Sequence, residues 1–228
     1  MTEDKQPDVV ETSSNRLVAT LAVAGLISGV AIIAIYEATL PTITRNKARE
    51  LQEAVFKVLP GVTRMQKLAY RNGELTVVTA PEKDDRLVYG GYDGNGAFLG
   101  YAIPGAGPGF QDTIGLLYGY EPERRLVVGM EILESRETPG LGDKIYKDAA
   151  FVANFEALAI DPEIVSVKKG KKVNPNEVDS ITGATISSKA VVRIINETQA
   201  TWAPRLPEPG AQPALAEPDE PGTREDGR

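Results

Sequence analysis

From Leu17 to Tyr36 the chain reads LVATLAVAGLISGVAIIAIY, without one charged residue. As an α-helix this run is about 30 Å long, the thickness of a bilayer's hydrocarbon core. It predicts a transmembrane helix over 17–36, with Tyr36 where an interfacial aromatic belongs. A cleaved signal peptide is the competing assignment, but its apolar region spans about 7–15 residues behind a basic leader. Here the run is longer, and the polar tail 1–16 carries more acid than base. An uncleaved anchor in a lipid bilayer is therefore expected. Charge leaves the orientation open, because Lys5 and Arg16 precede the span while Arg45, Lys47 and Arg49 come after it.

Beyond the span the chain is long enough for one soluble domain, and its chemistry is bounded by absences. The chain has no cysteine and no histidine. Disulfides, thiolate nucleophiles, histidine-based triads and the usual ligands of haem, iron–sulfur clusters and structural zinc are excluded. Carboxylate-bound Ca²⁺ or Mg²⁺ stays open, but no EF-hand spacing is present and no residue is singled out as a metal ligand. A net charge of −7 argues against nucleic acid as a partner. Redox chemistry in such a chain requires an organic cofactor.

The pattern after residue 36 alternates helix and hairpin signals. TITRNKARELQEAVFKVL, 42–59, places Leu51, Val55 and Val58–Leu59 at helical spacing before Pro60-Gly61 stops it. Three hairpins come next, turning at Asn72-Gly73, Asp93-Gly94 and Glu121-Pro122. A short helix is expected over 146–159, a strand at IVSVKK, and a last helix from Ile186 to about Trp202. Antiparallel strands with flanking helices predict an α+β domain over 37–203. The tail 204–228 is Pro-rich and acidic, with almost no large apolar residue, and is expected to be disordered. The acidic pair Asp84-Asp85 reads as surface charge, and Glu37 as a solvated interfacial acid.

The segment DSITGATISS, Asp179–Ser188, puts many hydroxyls in front of that last helix. One cap residue suffices to start a helix. Gly183 permits a sharp turn or a close backbone approach, and the first N–H groups of the helix offer a phosphate site. The residues alone leave two readings: surplus capping, or a reactive hydroxyl. No Walker A lysine comes after the glycine.

DSITGATIS resembles the flavinylation motif Asp-[Ser/Gly]-x-[Ser/Thr]-Gly-Ala-Thr-x-[Ser/Thr] of the FMN-binding-domain family. That family includes the G subunit of Rnf-type electron transport complexes and the C subunit of the sodium-pumping quinone reductase. The resemblance implies FMN joined through its phosphate, as a phosphodiester, to Thr185, with Ser180, Thr182, Gly183 and Ala184 around the attachment. A threonine hydroxyl is a poor nucleophile without a neighbouring base. The resemblance therefore implies a separate flavin transferase that uses FAD as donor. ESRETPGLGDK, Glu134–Lys144, is similar to the family's Glu-Thr-Pro-Gly-Leu-Gly loop. It implies a second wall formed by Glu137, Thr138, Pro139, Gly140 and Leu141, with Thr138–Leu141 flanking the ring. GYAIPGAGPGFQDTIGLLYGYE resembles the family's glycine-rich region, but Phe110, Gln111 and Asp112 stand where Tyr-Gly-Gly is commoner.

The resemblance covers roughly residues 15–203, and the length and motif order look more like the Rnf-type G subunit. It implies a single-pass subunit of the cytoplasmic membrane with its flavin on the periplasmic or outer side. Such a subunit relays electrons between ferredoxin and NAD while Na⁺ or H⁺ crosses the membrane. Its partners are the other subunits of the complex, and no side chain acts as a catalytic acid or base. The C subunit of the sodium-pumping quinone reductase or a flavinylated domain of another membrane redox system, and a cofactor-free anchored binding module, are the alternatives.

Overall fold

The computed structural model describes residues 14–79 and 86–216. Helix α1 runs Ser14–Val58 without interruption. The expected break between a membrane span and a second helix at 42–59 is absent. Pro41 lies inside α1, where it removes the bond to the Glu37 carbonyl and its ring crowds that carbonyl. Internal contacts divide the chain at Arg49/Glu50, beyond the boundary expected at residue 36. In the first unit the large apolar side chains from Leu17 to Tyr36 are exposed. The helix is long and apolar enough to cross a membrane.

The second unit is built on a seven-stranded sheet in the order β2-β1-β3-β4-β5-β6-β7. Its strands are β1 Arg64–Arg71, β2 Glu74–Val77, β3 Arg86–Tyr92, β4 Phe98–Pro108, β5 Thr113–Glu121, β6 Leu126–Ser135 and β7 Leu158–Ala159. Every pairing in it is antiparallel. The three hairpins stand where the turn residues put them. Asn72 and Gly73 both take positive φ, 52° and 93°, as a two-residue turn between right-twisted strands requires. The Asp93 carboxylate accepts from the N–H groups of Asn95 and Ala97, both at 2.8 Å, and closes the second turn.

Alternation along β4 and β5 buries both faces of the sheet. Tyr101, Ile103, Leu116 and Tyr118 join one apolar cluster with Ala190, Val191, Ile194, Ile195 and Trp202 of α4, Thr185–Trp202. Ala102 and Leu117 point the other way, onto Ala54, Val55, Val58 and Leu59 at the end of α1. Each large side chain so buried contributes about 1.5–3 kcal/mol. The face expected from Leu51, Val55 and Val58–Leu59 is thus the packed one.

Three elements differ from expectation. The helix expected over 146–159 is α2 Lys144–Lys147, α3 Ala149–Val152, a 3₁₀ turn and then β7. Asp148 causes the break: its backbone is extended, and its carboxylate caps α3 by accepting from Ala150 and Phe151. The strand expected at IVSVKK is β8 Val165–Val167, but it pairs in parallel with an unexpected strand, β9 Glu177–Asp179, which leads into the hydroxyl-rich segment. The tail also differs from the disorder expected from Pro204. Gln66 donates to the Ala214 carbonyl at 3.0 Å and accepts from the Ala216 N–H at 2.9 Å, while Tyr92 donates to Pro213. Composition reports side chains, whereas this contact is made largely by the tail's backbone. Asp84-Asp85, residues 217–228 and the first thirteen residues of the polar tail lie outside the described residues.

Candidate functional site

The hydroxyls of 179–188 are not surplus caps. The N-cap of α4 is Ala184, with no side-chain cap bond. Ser180 pairs with Ser166 at 2.7 Å. Ser188 accepts from the Ile181 N–H at 3.1 Å and donates to the Ala184 carbonyl at 2.9 Å, tying the turn from inside. Ser187 is buried and donates to Glu137. Thr185 differs from these: it is exposed, and its hydroxyl makes a marginal 3.5 Å contact with the Ile181 carbonyl. Gly183 takes φ +84°, which a side chain would strain. This turn presents the uncapped first N–H groups of α4 beside the Thr185 hydroxyl.

The segment after β6 forms the opposite wall. The Thr138 carbonyl accepts from Leu141 at 3.1 Å and Gly142 at 3.0 Å, and Gly140 takes φ +77°. The loop after β4 closes the third side, with the Thr138 hydroxyl donating to Gln111 at 2.8 Å. Between them lies a cavity of about 330 Å³ lined by Phe110, Thr138, Leu141, Gly142, Gly183, Ala184, Thr185, Ile186 and Ser187. That size falls in the range of small-molecule sites. The lining is mostly apolar and includes no Lys or Arg.

Of the residues singled out in the sequence, the structure brings Thr138, Leu141, Gly183, Ala184 and Thr185 together on this cavity. Ser180, Thr182, Pro139 and Gly140 shape the two loops and are not part of the lining. Glu137 lies behind the wall, 5 % exposed. Phe110, Gly142, Ile186 and Ser187 line the cavity in addition to the expected set. Ile186 carries a sequence signal, since it falls off the buried stripe of α4 and is 57 % exposed; Phe110 is likewise exposed.

Glu137 joins all three walls. Its Oε1 accepts from the N–H groups of Phe110 at 2.9 Å and Gln111 at 3.0 Å, and its Oε2 accepts from Ser187. The fit leaves no space for side chains nearby. A Cβ at Gly142 would stand 2.6 Å from Oε2, and one at Gly109 would overlap Oε1. Burial works to raise the Glu137 pKa, yet hydrogen bonds from Ser187 and the N–H groups of Gln111, Asp112 and Phe110 outweigh it. The carboxyl is held below its ordinary value of 4.5. Its ionised form therefore stabilises the fold fully above that value, and the contribution is lost as pH falls through the lower, folded-state pKa. Glu137→Gln is expected to lose less stability than the parent chain between about pH 6 and pH 3. Urea midpoints across that range check it, and parallel curves would refute it.

An α+β domain with an apolar, loop-walled cavity at a helix N-terminus can hold a flat ring with a phosphate attached, and its relatives specify which cofactor. Residues 109–199 match the FMN-binding domain. The G subunit of the proton-translocating ferredoxin:NAD(+) oxidoreductase complex of Clostridium ljungdahlii is 30% identical over 197 residues, 86% of this chain and 94% of that protein. The G subunit of an ion-translocating oxidoreductase complex of Methanosarcina acetivorans is 28% identical over 182 residues, 78% and 88% of the two chains. Among solved structures, the C subunit of the Na(+)-translocating NADH-quinone reductase of Parabacteroides distasonis aligns with a TM-score of 0.56 at 19% identity. That alignment covers 71% of this chain and 94% of the other. NqrC of Shewanella oneidensis aligns at 0.53, also 19% identical, over 67% and 91%. At that identity the two structures establish the fold.

The chain belongs to the FMN-binding-domain family that includes the G subunits of the ion-translocating oxidoreductase complexes. Its relatives are named as subunits of ion-translocating oxidoreductase complexes, and it carries an FMN-binding domain. The cavity suits the cofactor: apolar walls for a flat ring, and free helix N–H groups for a phosphate.

Proposed function

We propose that this chain is the flavoprotein G subunit of an Rnf-type complex and carries its FMN as a phosphodiester on Thr185. The observation that supports this best is the exposed Thr185 hydroxyl, placed at an uncapped helix N-terminus on a cavity without a cationic side chain. A free phosphate monoester carries about −1.5 to −2 charges at pH 7. No cationic side chain in the lining neutralises that, the N–H groups at the start of α4 offset only part of it, and the Glu137 carboxylate behind the wall opposes it. A diester carries a single charge, and a tether removes the need for affinity. Charge and topology thus both favour a covalently held flavin over a reversibly bound one.

Attachment requires outside help. The acid behind the wall, Glu137, is already engaged with Ser187 and two N–H groups. None of the side chains lining the cavity is a carboxylate or an amine that could take the Thr185 proton. A flavin transferase supplies that base: the Thr185 oxygen attacks the FMN-side phosphorus of FAD, a Thr–O–P bond forms, and the P–O–P bond breaks. AMP leaves and the proton passes to the transferase.

When bound, FMN accepts electrons singly or in pairs, which suits a relay between ferredoxin and NAD coupled to Na⁺ or H⁺ movement. The chain's own part is to hold the ring against Thr138 and Leu141, to stabilise the phosphate at α4, and to anchor the domain in the cytoplasmic membrane. The flavin domain is on the outer side, where covalent attachment prevents cofactor loss. Protease access to the domain from the outside of intact spheroplasts tests that side, and full protection would reverse it. In-gel flavin fluorescence of the denatured protein from native membranes tests the attachment, with peptide mass mapping of the band. A fluorescent band with FMN on the Thr185 peptide is expected. A dark band of unmodified mass, from cells that make the transferase, would overturn the reading.

A further inference from the structure

Glu137 is a buried acid that the attachment chemistry does not use. Three properties separate it from an ordinary structural carboxylate. It bonds residues from each of the two other walls of the cavity, at Phe110–Gln111 and at Ser187, while sitting on the third. The two positions beside it, Gly109 and Gly142, have to be glycine to seat it, because a Cβ on either would crowd its carboxylate. Its charge also meets no cation. The neighbouring Asp143 is paired with Lys147 at 2.6 Å, whereas among the described residues no Lys or Arg pairs with Glu137. Neutral donors satisfy its oxygens without cancelling its field, and two residues it touches or adjoins, Ser187 and Thr138, line the cavity themselves.

We propose that Glu137 is a positioning residue for the flavin: a buried, cation-free carboxylate that locks the three walls together and through its charge lowers the cofactor's reduction potential. The inference rests on the reading that the flavin occupies the Thr185 cavity. Each electron added to the flavin brings negative charge into a space that already faces an anion, so the oxidised form is favoured. A purely structural brace would shift the potential no more when its charge is removed than when one of its bonds is broken.

The test uses the full chain, flavin-loaded by its transferase and purified in detergent. Midpoint potentials are read by spectroelectrochemical titration, and loading by in-gel fluorescence. Glu137→Gln keeps the shape and removes the charge: its amide oxygen still accepts from Phe110 and Gln111, and its NH₂ meets the Ser187 hydroxyl. An upward shift of its midpoint potential is expected, with loading close to that of the parent chain. Ser187→Ala removes one brace bond and keeps the charge, so no upward shift is expected there. An unchanged potential in Glu137→Gln, or an equal rise in both variants, would overturn the proposal. Should Glu137→Gln not fold, Glu137→Met, a neutral side chain of similar length, is read in its place against Ser187→Ala, with the same upward shift expected and an unchanged potential overturning the proposal. A parent chain without flavin on Thr185 would refute the attachment reading instead, an outcome visible before any potential is measured.

Discussion

Thr185→Ala is expected to abolish covalent flavin completely while leaving the domain folded. The loss is total because the phosphodiester needs an oxygen at this position. The two serines of the next half-turn cannot substitute: Ser187 and Ser188 are buried, at 2% and 0% exposure, and each is bonded inward. The fold should be indifferent. Thr185 is exposed, its hydroxyl contact is at 3.5 Å, and alanine is the better helix former. Exposed changes of this kind stay within about 0.5 kcal/mol. Thr182 is the informative control, being an exposed hydroxyl on the same turn; Thr182→Ala should retain flavin. The checks are in-gel fluorescence, intact mass and a thermal unfolding curve on each variant. Flavin that survives denaturation in Thr185→Ala, or disappears in Thr182→Ala alone, would move the attachment site.

How much of the molecule is legible in the sequence depends on how local each signal is. The apolar run from Leu17, the turn pairs at Asn72-Gly73 and Asp93-Gly94, and the stripe through α4 are patterns of neighbours, and each marks its element. The Gly-Ala-Thr turn is equally local, which is why resemblance singles out Thr185 from its hydroxyl neighbours. Glu137 shows the limit. As a lone acid in a glycine-rich loop it suggests a ligand contact, but its partners come from residues 110–111 and 187, and only the folded chain shows that it stands behind the cavity wall. Asp148 is similar: in a helical pattern it reads as a tolerated interior residue, and only backbone geometry reveals a cap that splits α2 from α3. Phe110 stands where the family pattern departs, so the resemblance says nothing about it. The tail's contact with Gln66 and Tyr92 involves backbone groups that every residue carries, so no composition could announce it.

Gly119→Ala is expected to be the most destabilising single-methyl change in the domain. Gly119 of β5 and Gly129 of β6 are register partners, and the end of α1 rests on both. A Cβ on Gly119 would overlap the Val58 carbonyl oxygen and sit 2.8 Å from its carbon; one on Gly129 would be 2.6 Å from that oxygen and 2.7 Å from Val58 Cα. These obstacles are backbone, so no side-chain rotation relieves them. The helix end must lift, taking with it the packing of Ala54, Val55, Val58 and Leu59 on Tyr89, Ala102 and Leu117. Overpacking a core costs about 1–3 kcal/mol, sometimes more, and unseating a packed turn puts each variant at about 3 kcal/mol or above. The double variant should cost less than the sum, since the same carbonyl is displaced once. Gly115→Ala supplies the comparison on the same strand, because its Cβ would meet nothing closer than Glu134 Cβ at 3.5 Å. Urea unfolding of the full chain, with Trp202, the only tryptophan, as the fluorescent reporter, measures all four. If Gly119→Ala is as mild as Gly115→Ala, the helix end does not rest on the sheet as described. The α1 contact and α4 lie on opposite faces, so the fraction of Gly119→Ala that folds should still carry flavin. The damage then falls on stability while the site stays intact, the reverse of what Thr185→Ala does.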